Sequence, residues 1–510
     1  MSIQRNEQEH KLAIIGIDSL DPHVLVNNQA ELPHFDALIK QSATLVSKSV
    51  FPVDTIPAWA SIYTGLRPGN HGLLYVYDVF DPNLSDLRKL DLGRIRHRTF
   101  WDFASKAGYR TVVVYPMLAY PSWDINGVMV SKSPFDRKKD WMTTEIDVDV
   151  CPKVAKNTHA IPDKFIGLWG GFPGIERLAE WAELGKEILK TEKEIGLDLY
   201  RVGNWDLFFI YFNLLDIIQH RLWRFFDPAD PTYEKNQLST IILDYYKLFD
   251  TIIGEFKDVY PDTALMIISD HGHKSRALRT INVNEQLRVD GYLVRKKGGR
   301  NTIMNRLGRT VLHLANKWDL QHWLIRLATR SEKLAKASKA TYSSAEAIER
   351  DNSVAYLSHF AGIKSYSFGG IQVNTDCVTE NDYENLLGKL IESLSQIQTP
   401  EGQPVINWVK KRKDICIGDF AERLYPDILF ELDEHFSVGW DIGRGLFGTA
   451  YDHKVASGGH RKEGVLLLGN INRKVRADDK SIIDIAPTVL DFLGVDWRQF
   501  GFDGVSIFEP

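Results

Sequence analysis

The strongest constraint in this sequence is an alternation of short, unbroken apolar runs with segments of helical spacing. LAIIGID opens the series and leads into a helix-like segment ending near Lys40; YRTVVVYPM follows the helical RTFWDFASKAG; WDLFFIYFNLLD follows a helical run from Glu176 to Tyr200. Later, TALMIISD comes after LDYYKLFDTIIGEF, and GVLLLGN precedes IIDIAPTVLDFLG. A strand that is apolar at every position has no face left for water, so helices must cover both sides of its sheet. The alternation therefore predicts a layered α/β/α domain around a mostly parallel central sheet.

Three of the runs end in carboxylates: Asp18 closes the first, Asp216 follows the third and Asp270 closes TALMIISD. One such aspartate is usually a loop or cap residue. Three matter more, because open α/β sheets place their sites at the carboxyl ends of strands. The stretch FPVDTIPAWASIYTGLRPGNHG, residues 51–72, adds a lone hydroxyl, Thr55, where an extended run gives way to a short helix. A helix start holds anions, since its first N–H groups lack partners and the macrodipole is positive there; Pro57 suits that first turn. Thr55 reads either as an ordinary N-cap or as a group aimed at a bound anion.

The chain's 510 residues and formal net charge of -5 give no global reason to expect nucleic acid, which calls for a basic surface. Cys151, Cys377 and Cys416 lack metal-knuckle or redox spacing, which fits a reduced, cytoplasmic setting. The N-terminal apolar run is brief and ends at Asp18, more like a buried strand than a leader, and no run is long enough to span a bilayer. Between Arg295 and Ala340, twelve Lys or Arg stand against Asp319 and Glu332, with Ile303, Leu307, Val311, Leu314 and Trp318 at helical spacing. This basic amphipathic segment is either a solvated face packed on the main domain or a cap that attracts anionic substrates, acidic lipid or a partner. Residues 353–374 read as short strands and 382–397 as a helix.

Asp216 and His220 lie four apart in DIIQH, so on a helix both fall on one face and can share a metal. Asp270 and His271 are adjacent in ISDHGH, where Gly272 permits a sharp turn. With Asp18 and the late His460 of ASGGHRKEG, the inventory is three carboxylates and three imidazoles. That mixed, histidine-rich set suits two divalent ions about 4 Å apart, zinc first. Coordination to such an ion would turn Thr55 into an alkoxide nucleophile. His273 and His453 read as structural or supporting residues, and Lys274 and Arg276 first as facing solvent and second as meeting a substrate's charge.

In this order, IIGIDSLDP, FPVDTIPAWASIYTGLRPGNHG, NLLDIIQHRLWRFFDP, ISDHGH, INVNEQLRVDGYL, YPDILFEL, SGGHRKEGVLLLG and IIDIAPTVLDFLGV make the chain resemble the alkaline phosphatase superfamily, most of all its type I phosphodiesterase and nucleotide pyrophosphatase branch. The resemblance implies an alkaline-phosphatase-like core in residues 1–294 and 441–510 with an inserted cap in 295–440 that sets substrate choice. It implies one metal on Asp216, His220 and His460, and a second on Asp18, Asp270, His271 and Thr55, and it adds manganese as the alternative to zinc. It implies in-line attack by Thr55 on a small anionic phosphate ester, a covalent phosphothreonine and its hydrolysis. Val76 stands about where nucleotide pyrophosphatases carry a phosphate-binding asparagine; Asn70 and Asn213 are the substitutes on offer. Sulfatases need C/S-x-P-x-R, and CPKVA at Cys151 lacks the arginine. Phosphomonoesterase, phosphomutase and phosphonate hydrolase chemistry use much the same ligands, and a non-catalytic binding protein is the alternative of another class.

Overall fold

The computed structural model describes residues 11–74, 76–77, 90–131, 174–296, 348–360, 366–450 and 453–509. Seven strands form the main sheet, in the order Val46–Lys48, Glu463–Gly469, Ala264–Ile268, Leu12–Ile17, Leu207–Phe212, Thr111–Val114, Gly127–Val130. The last five are parallel, with Leu12 opposite both Leu207 and Ala264. Glu463–Gly469 runs antiparallel to both of its neighbours, Leu467 opposite Ile267 and Gly464 opposite Ser47. The sheet is thus mixed, with a parallel centre and an antiparallel flank supplied by the late GVLLLGN run.

Side chains alternate across a strand, and here both sets are buried. Ala13, Ile15 and Ile17 join Phe208, Ile210 and Phe212 on one face, under the helices Ile175–Arg201, Leu214–Phe226 and Ile241–Val259. Leu12, Ile14, Leu207, Phe209 and Tyr211 line the other, under Thr55–Thr64, Phe100–Lys106 and Ile485–Phe492. Each fully buried Leu, Ile or Phe contributes about 1.5–3 kcal/mol by leaving water. Two covered faces are therefore the reason these strands are apolar throughout.

The Thr55–Thr64 helix is buried at every position from Ile56 to Thr64 and stops at Gly65, whose φ of 65° is left-handed. It lies close on the central strand because Gly16 has no side chain: a Cβ there would stand 2.7 Å from the Trp59 ring. Trp59 in turn meets Tyr211 edge-on, ring centroids 4.7 Å apart. The N-cap is Asp54, so Thr55 is the first helical residue and not the cap. That corrects the ordinary reading of Thr55.

A second, antiparallel sheet takes its strands in the order Ile406–Lys411, Ile428–Leu432, Phe368–Val373, Ala355–Phe360, Val76–Tyr77. The Glu380–Ser395 helix supplies Leu386, Leu387, Leu390 and Leu394 to its own apolar cluster, which also takes in Ile281, Val283 and Leu287. Apart from Arg295 and Lys296, the basic segment lies outside the described residues, as does Cys151. Among the described residues, no helix is long and apolar enough to cross a membrane.

Candidate active site

Adjacency in the sheet brings the three carboxylates together. Asp18 follows the central strand; Asp270 comes two residues after its neighbour Ala264–Ile268; Asp216 is the third residue of the helix that follows Leu207–Phe212 on the other side. All three stand at the carboxyl ends of neighbouring parallel strands. Asp216 and His220 share a face of the Leu214–Phe226 helix, Asp216 Oδ1 3.3 Å from His220 Nε2. His460 comes from the Gly458–Arg461 strand, which pairs antiparallel with Gly272–Ser275 and puts His460 opposite His273.

Two groups of donors result. In one, the ligand atoms of Asp216, His220 and His460 all lie within 4.8 Å of one another; in the other, those of Asp18, Asp270 and His271 do. His460 Nε2 is 3.4 Å from Asp216 Oδ1, and His271 Nε2 is 3.1 Å from Asp270 Oδ2 and 3.8 Å from Asp18 Oδ1. The groups touch: the His271 and His460 rings stack with centroids 3.8 Å apart. Thr55 Oγ1 is 3.4 Å from His271 Nε2.

Three observations test whether these residues fit metal ions. First, each imidazole spends Nδ1 on a backbone carbonyl: His220 on Gly458 at 2.8 Å, His460 on Val53 at 3.0 Å, His271 on Gly272 at 3.1 Å. A carbonyl only accepts, so Nδ1 carries the proton and a neutral ring turns its Nε2 lone pair inward. Burial keeps His220 neutral, its pKa lowered to about 3, and pulls His271 well below the usual range. Second, His220 Nε2 and His460 Nε2 face each other at 3.0 Å, where two lone pairs repel unless a cation is beside them. Third, Asp18 Oδ1, Asp216 Oδ1 and Asp270 Oδ2 are buried without a hydrogen-bond partner among the described residues, and no Lys or Arg pairs with them there. The donor set fits a pair of divalent cations.

The opposite oxygens of two of these carboxylates are held. Tyr211 donates its hydroxyl to Asp18 Oδ2 at 2.5 Å, and the Ser19 N–H donates to Asp270 Oδ1 at 3.1 Å. Burial, with the charge of Asp270 and then of Asp216, pushes Asp18 well above the usual carboxylate range; burial does the same to Asp270. Such displacement marks a site built for positive charge. Sequence reasoning missed Ser19, Tyr211 and Tyr366, whose hydroxyl, just before the Phe368–Val373 strand of the second sheet, donates to Asp54 Oδ2 at 2.9 Å. For Ser19 the only available signal was its place beside Asp18.

The remaining expectations divide. His273 is fully buried, Nδ1 3.8 Å from Asp216 Oδ1, beside the first cluster. His453 is also buried but faces both oxygens of Asp230 at 3.1 Å. Lys274 does not simply face solvent: it pairs with Glu434 at 3.1 Å and lines a cavity of about 800 Å³. Arg276 is half-buried, packed over Gly459. Asn70 is committed to Asp503, at 2.9 and 2.8 Å from its two oxygens, and Asn213 is the N-cap residue of the Asp216 helix. The cavity opens between the two sheets, with His460 at one side and Phe51, Tyr366, Phe368 and Trp408 among its walls.

Known proteins resemble this chain in sequence family and in fold. Residues 12–439 match the family model described as type I phosphodiesterase / nucleotide pyrophosphatase. Phosphonoacetate hydrolase from Sinorhizobium meliloti 1021, in complex with phosphonoformate, is similar over 95% of this chain and 96% of its own, at 17% identity and a TM-score of 0.54; its complex with phosphonoacetate gives 0.53. Human ectonucleotide pyrophosphatase / phosphodiesterase 5 is similar over 95% of each chain at 13% identity and a TM-score of 0.47. No curated protein sequence matches significantly. The family match spans most of the chain and the main sheet has the layered architecture of the superfamily, so the chain belongs to the type I phosphodiesterase and nucleotide pyrophosphatase branch of the alkaline phosphatase superfamily.

Proposed function

We propose that this member of a family of metal-dependent phosphoesterases hydrolyses phosphodiester or pyrophosphate bonds through a phosphothreonine formed on Thr55. The observation that carries the reading is the placement of Thr55 Oγ1 3.4 Å from His271 Nε2, at the junction of two donor clusters. Asp216, His220 and His460 would hold one cation, and Asp18, Asp270, His271 and Thr55 the other. Bound there, the pair would supply Lewis-acid activation of the nucleophile and neutralise charge on the phosphoryl oxygens and the leaving group. Zinc suits the mixed nitrogen and oxygen donors, with manganese the alternative.

The chain's own contribution is placement. Thr55 is fixed at the first turn of a helix whose early N–H groups have no partner within the helix, so an anion is drawn to the atom that attacks it. As Thr55 Oγ1 loses its proton to solvent and bonds to phosphorus, the ester oxygen opposite departs with the bonding pair and takes up a proton; water then attacks phosphorus, the Oγ1–P bond breaks, and a proton from that water restores the Thr55 hydroxyl as the phosphate product leaves. We read residues 295–440 as the cap, and the aromatic cavity beside His460 as room for the organic part of the ester; the separate apolar cluster of the second sheet supports that reading. Cys377 and Cys416 are free thiols, which supports the cytoplasmic assignment.

The test is turnover of nitrophenyl diester, nitrophenyl monoester and phosphonoacetate by the zinc- or manganese-loaded protein, with acid quench and mass spectrometry of the Thr55 peptide. Diester turnover with phosphate trapped on Thr55 is expected. Near-normal turnover by Thr55→Ala would overturn the nucleophile.

A further inference from the structure

Ser19 sits one residue after Asp18 with a φ of 63°, a left-handed conformation that glycine adopts freely and serine does not. A strained non-glycine residue at such a place needs a use for its side chain, and here every polar group of Ser19 is engaged. Its N–H donates to Asp270 Oδ1 at 3.1 Å. Its carbonyl accepts from Gln219 Nε2 at 2.9 Å. Its hydroxyl lies 2.7 Å from His273 Nδ1 and 3.3 Å from the Gly272 carbonyl.

These partners belong to different clusters. Asp270 is a donor of the second. Gln219 lies between Asp216 and His220 on the helix that carries the first, and its Oε1 is held by the Tyr246 hydroxyl at 3.1 Å. The His273 ring stands 4.8 Å from the His220 ring and 5.0 Å from that of Trp223, with Nδ1 3.8 Å from Asp216 Oδ1. Its far side rests on Gly458, where a Cβ would come within 2.3 Å of Nε2, and the Gly458 carbonyl is the one that orients His220. Backbone and side chain of one residue therefore reach both halves of the site.

We propose that Ser19 is a positioning residue that sets the spacing between the two donor clusters, with His273 as the partner of its hydroxyl. The proposal rests on the two-cation reading above and concerns how firmly the second ion is held once the first is bound. Glycine at position 19 would keep both backbone bonds and relieve the strain while removing the link to His273. Outer residues of this kind typically change metal affinity 10- to 100-fold.

The experiment is calorimetric titration of the metal-stripped, full-length protein with Zn²⁺ under chelator competition, for wild type, Ser19→Gly, His273→Phe and the double variant. Two ions per chain are expected for wild type. Ser19→Gly should melt within a few degrees of wild type yet bind its second ion roughly 10-fold or more weakly, and His273→Phe should do the same. The double variant should lose little beyond either single one, because both remove one shared contact. Unchanged affinities in Ser19→Gly, or fully additive losses in the double variant, would overturn the proposal. If Ser19→Gly does not fold, His273→Phe alone decides it: a weakened second ion supports the link and an unchanged one removes it. A wild-type protein that binds no Zn²⁺ or Mn²⁺ would count against the proposed function instead.

Discussion

Asp216, His220 and His460 are partly exposed and offer one carboxylate with two imidazoles, whereas Asp18, Asp270 and His271 are fully buried and offer two carboxylates with one imidazole. The first set carries one carboxylate beside two imidazoles. The second packs two into a space without water, which is why burial and mutual repulsion push Asp18 so far up. The contrast in charge and burial points to a division of labour. The deeper cluster adjoins Thr55 and, on the proposed function, would rely on a cation to offset its paired charges; the shallower one lines the cavity through His460.

The largest effect that could break this comparison comes from Thr55→Ala. Turnover should fall by roughly 10³-fold or more while both ions stay bound, since loss of a nucleophile removes the covalent route; steady-state kinetics and metal analysis on the same sample check both halves. Next, Asp270→Asn should weaken one ion by about 100-fold or more and leave the other near normal, with His220→Ala doing the converse. Competitive chelation reads this, and equal losses at both sites in either variant would erase the distinction between the clusters.

A buried imidazole away from both clusters separates what burial does from what neighbours do. His71 accepts from the Leu73 N–H at 3.0 Å and lies 3.1 Å from Ser61 Oγ, and burial lowers its pKa to about 3. The unfolded chain binds the proton near pH 6.5 and the folded one does not, so the contribution of His71 is complete above about pH 6.5 and is lost as pH falls toward 3. At pH 5 the loss is about 2 kcal/mol. Chemical unfolding at pH 7.5 and 5 should show wild type losing that much more than His71→Gln, and parallel losses would mean the ring is protonated in the fold. Smallest is Tyr211→Phe: freeing Asp18 Oδ2 from its hydroxyl should weaken the ion of the deeper cluster about 10-fold and leave the shallower one unchanged.

Much of this arrangement was legible in the chain because local chemistry determines it. Apolar runs such as LFFIYF have only one comfortable home, a sheet covered on both sides, and the aspartates after them then had to meet at one rim. Spacing alone put Asp216 and His220 on one helix face. What stayed hidden depends on distant pairing or unusual backbone. His460 is legible as a candidate ligand, but the ladder of Gly458–Arg461 on Gly272–Ser275 that carries it into place has no local pattern to announce it. Tyr366 arrives from the other sheet. Ser19 looks like any polar residue after a strand, since a left-handed φ at a non-glycine position leaves no mark in composition. Thr55 was read as a possible cap because its hydroxyl suits one; Asp54 takes that position and leaves Thr55 in the first turn.

The four-residue ladder between Gly458–Arg461 and Gly272–Ser275 also bears on when the protein can begin to work. A ribosome delivers Asp18, Asp216, His220, Asp270 and His271 long before His460. During that interval an ion at the shallower cluster would have only two donors from one helix, too few to hold it firmly. The first cluster is therefore completed late in synthesis, and a nascent chain arrested before residue 458 should lack His460, this ladder and the Glu463–Gly469 strand of the main sheet together, and bind metal more weakly than the full chain.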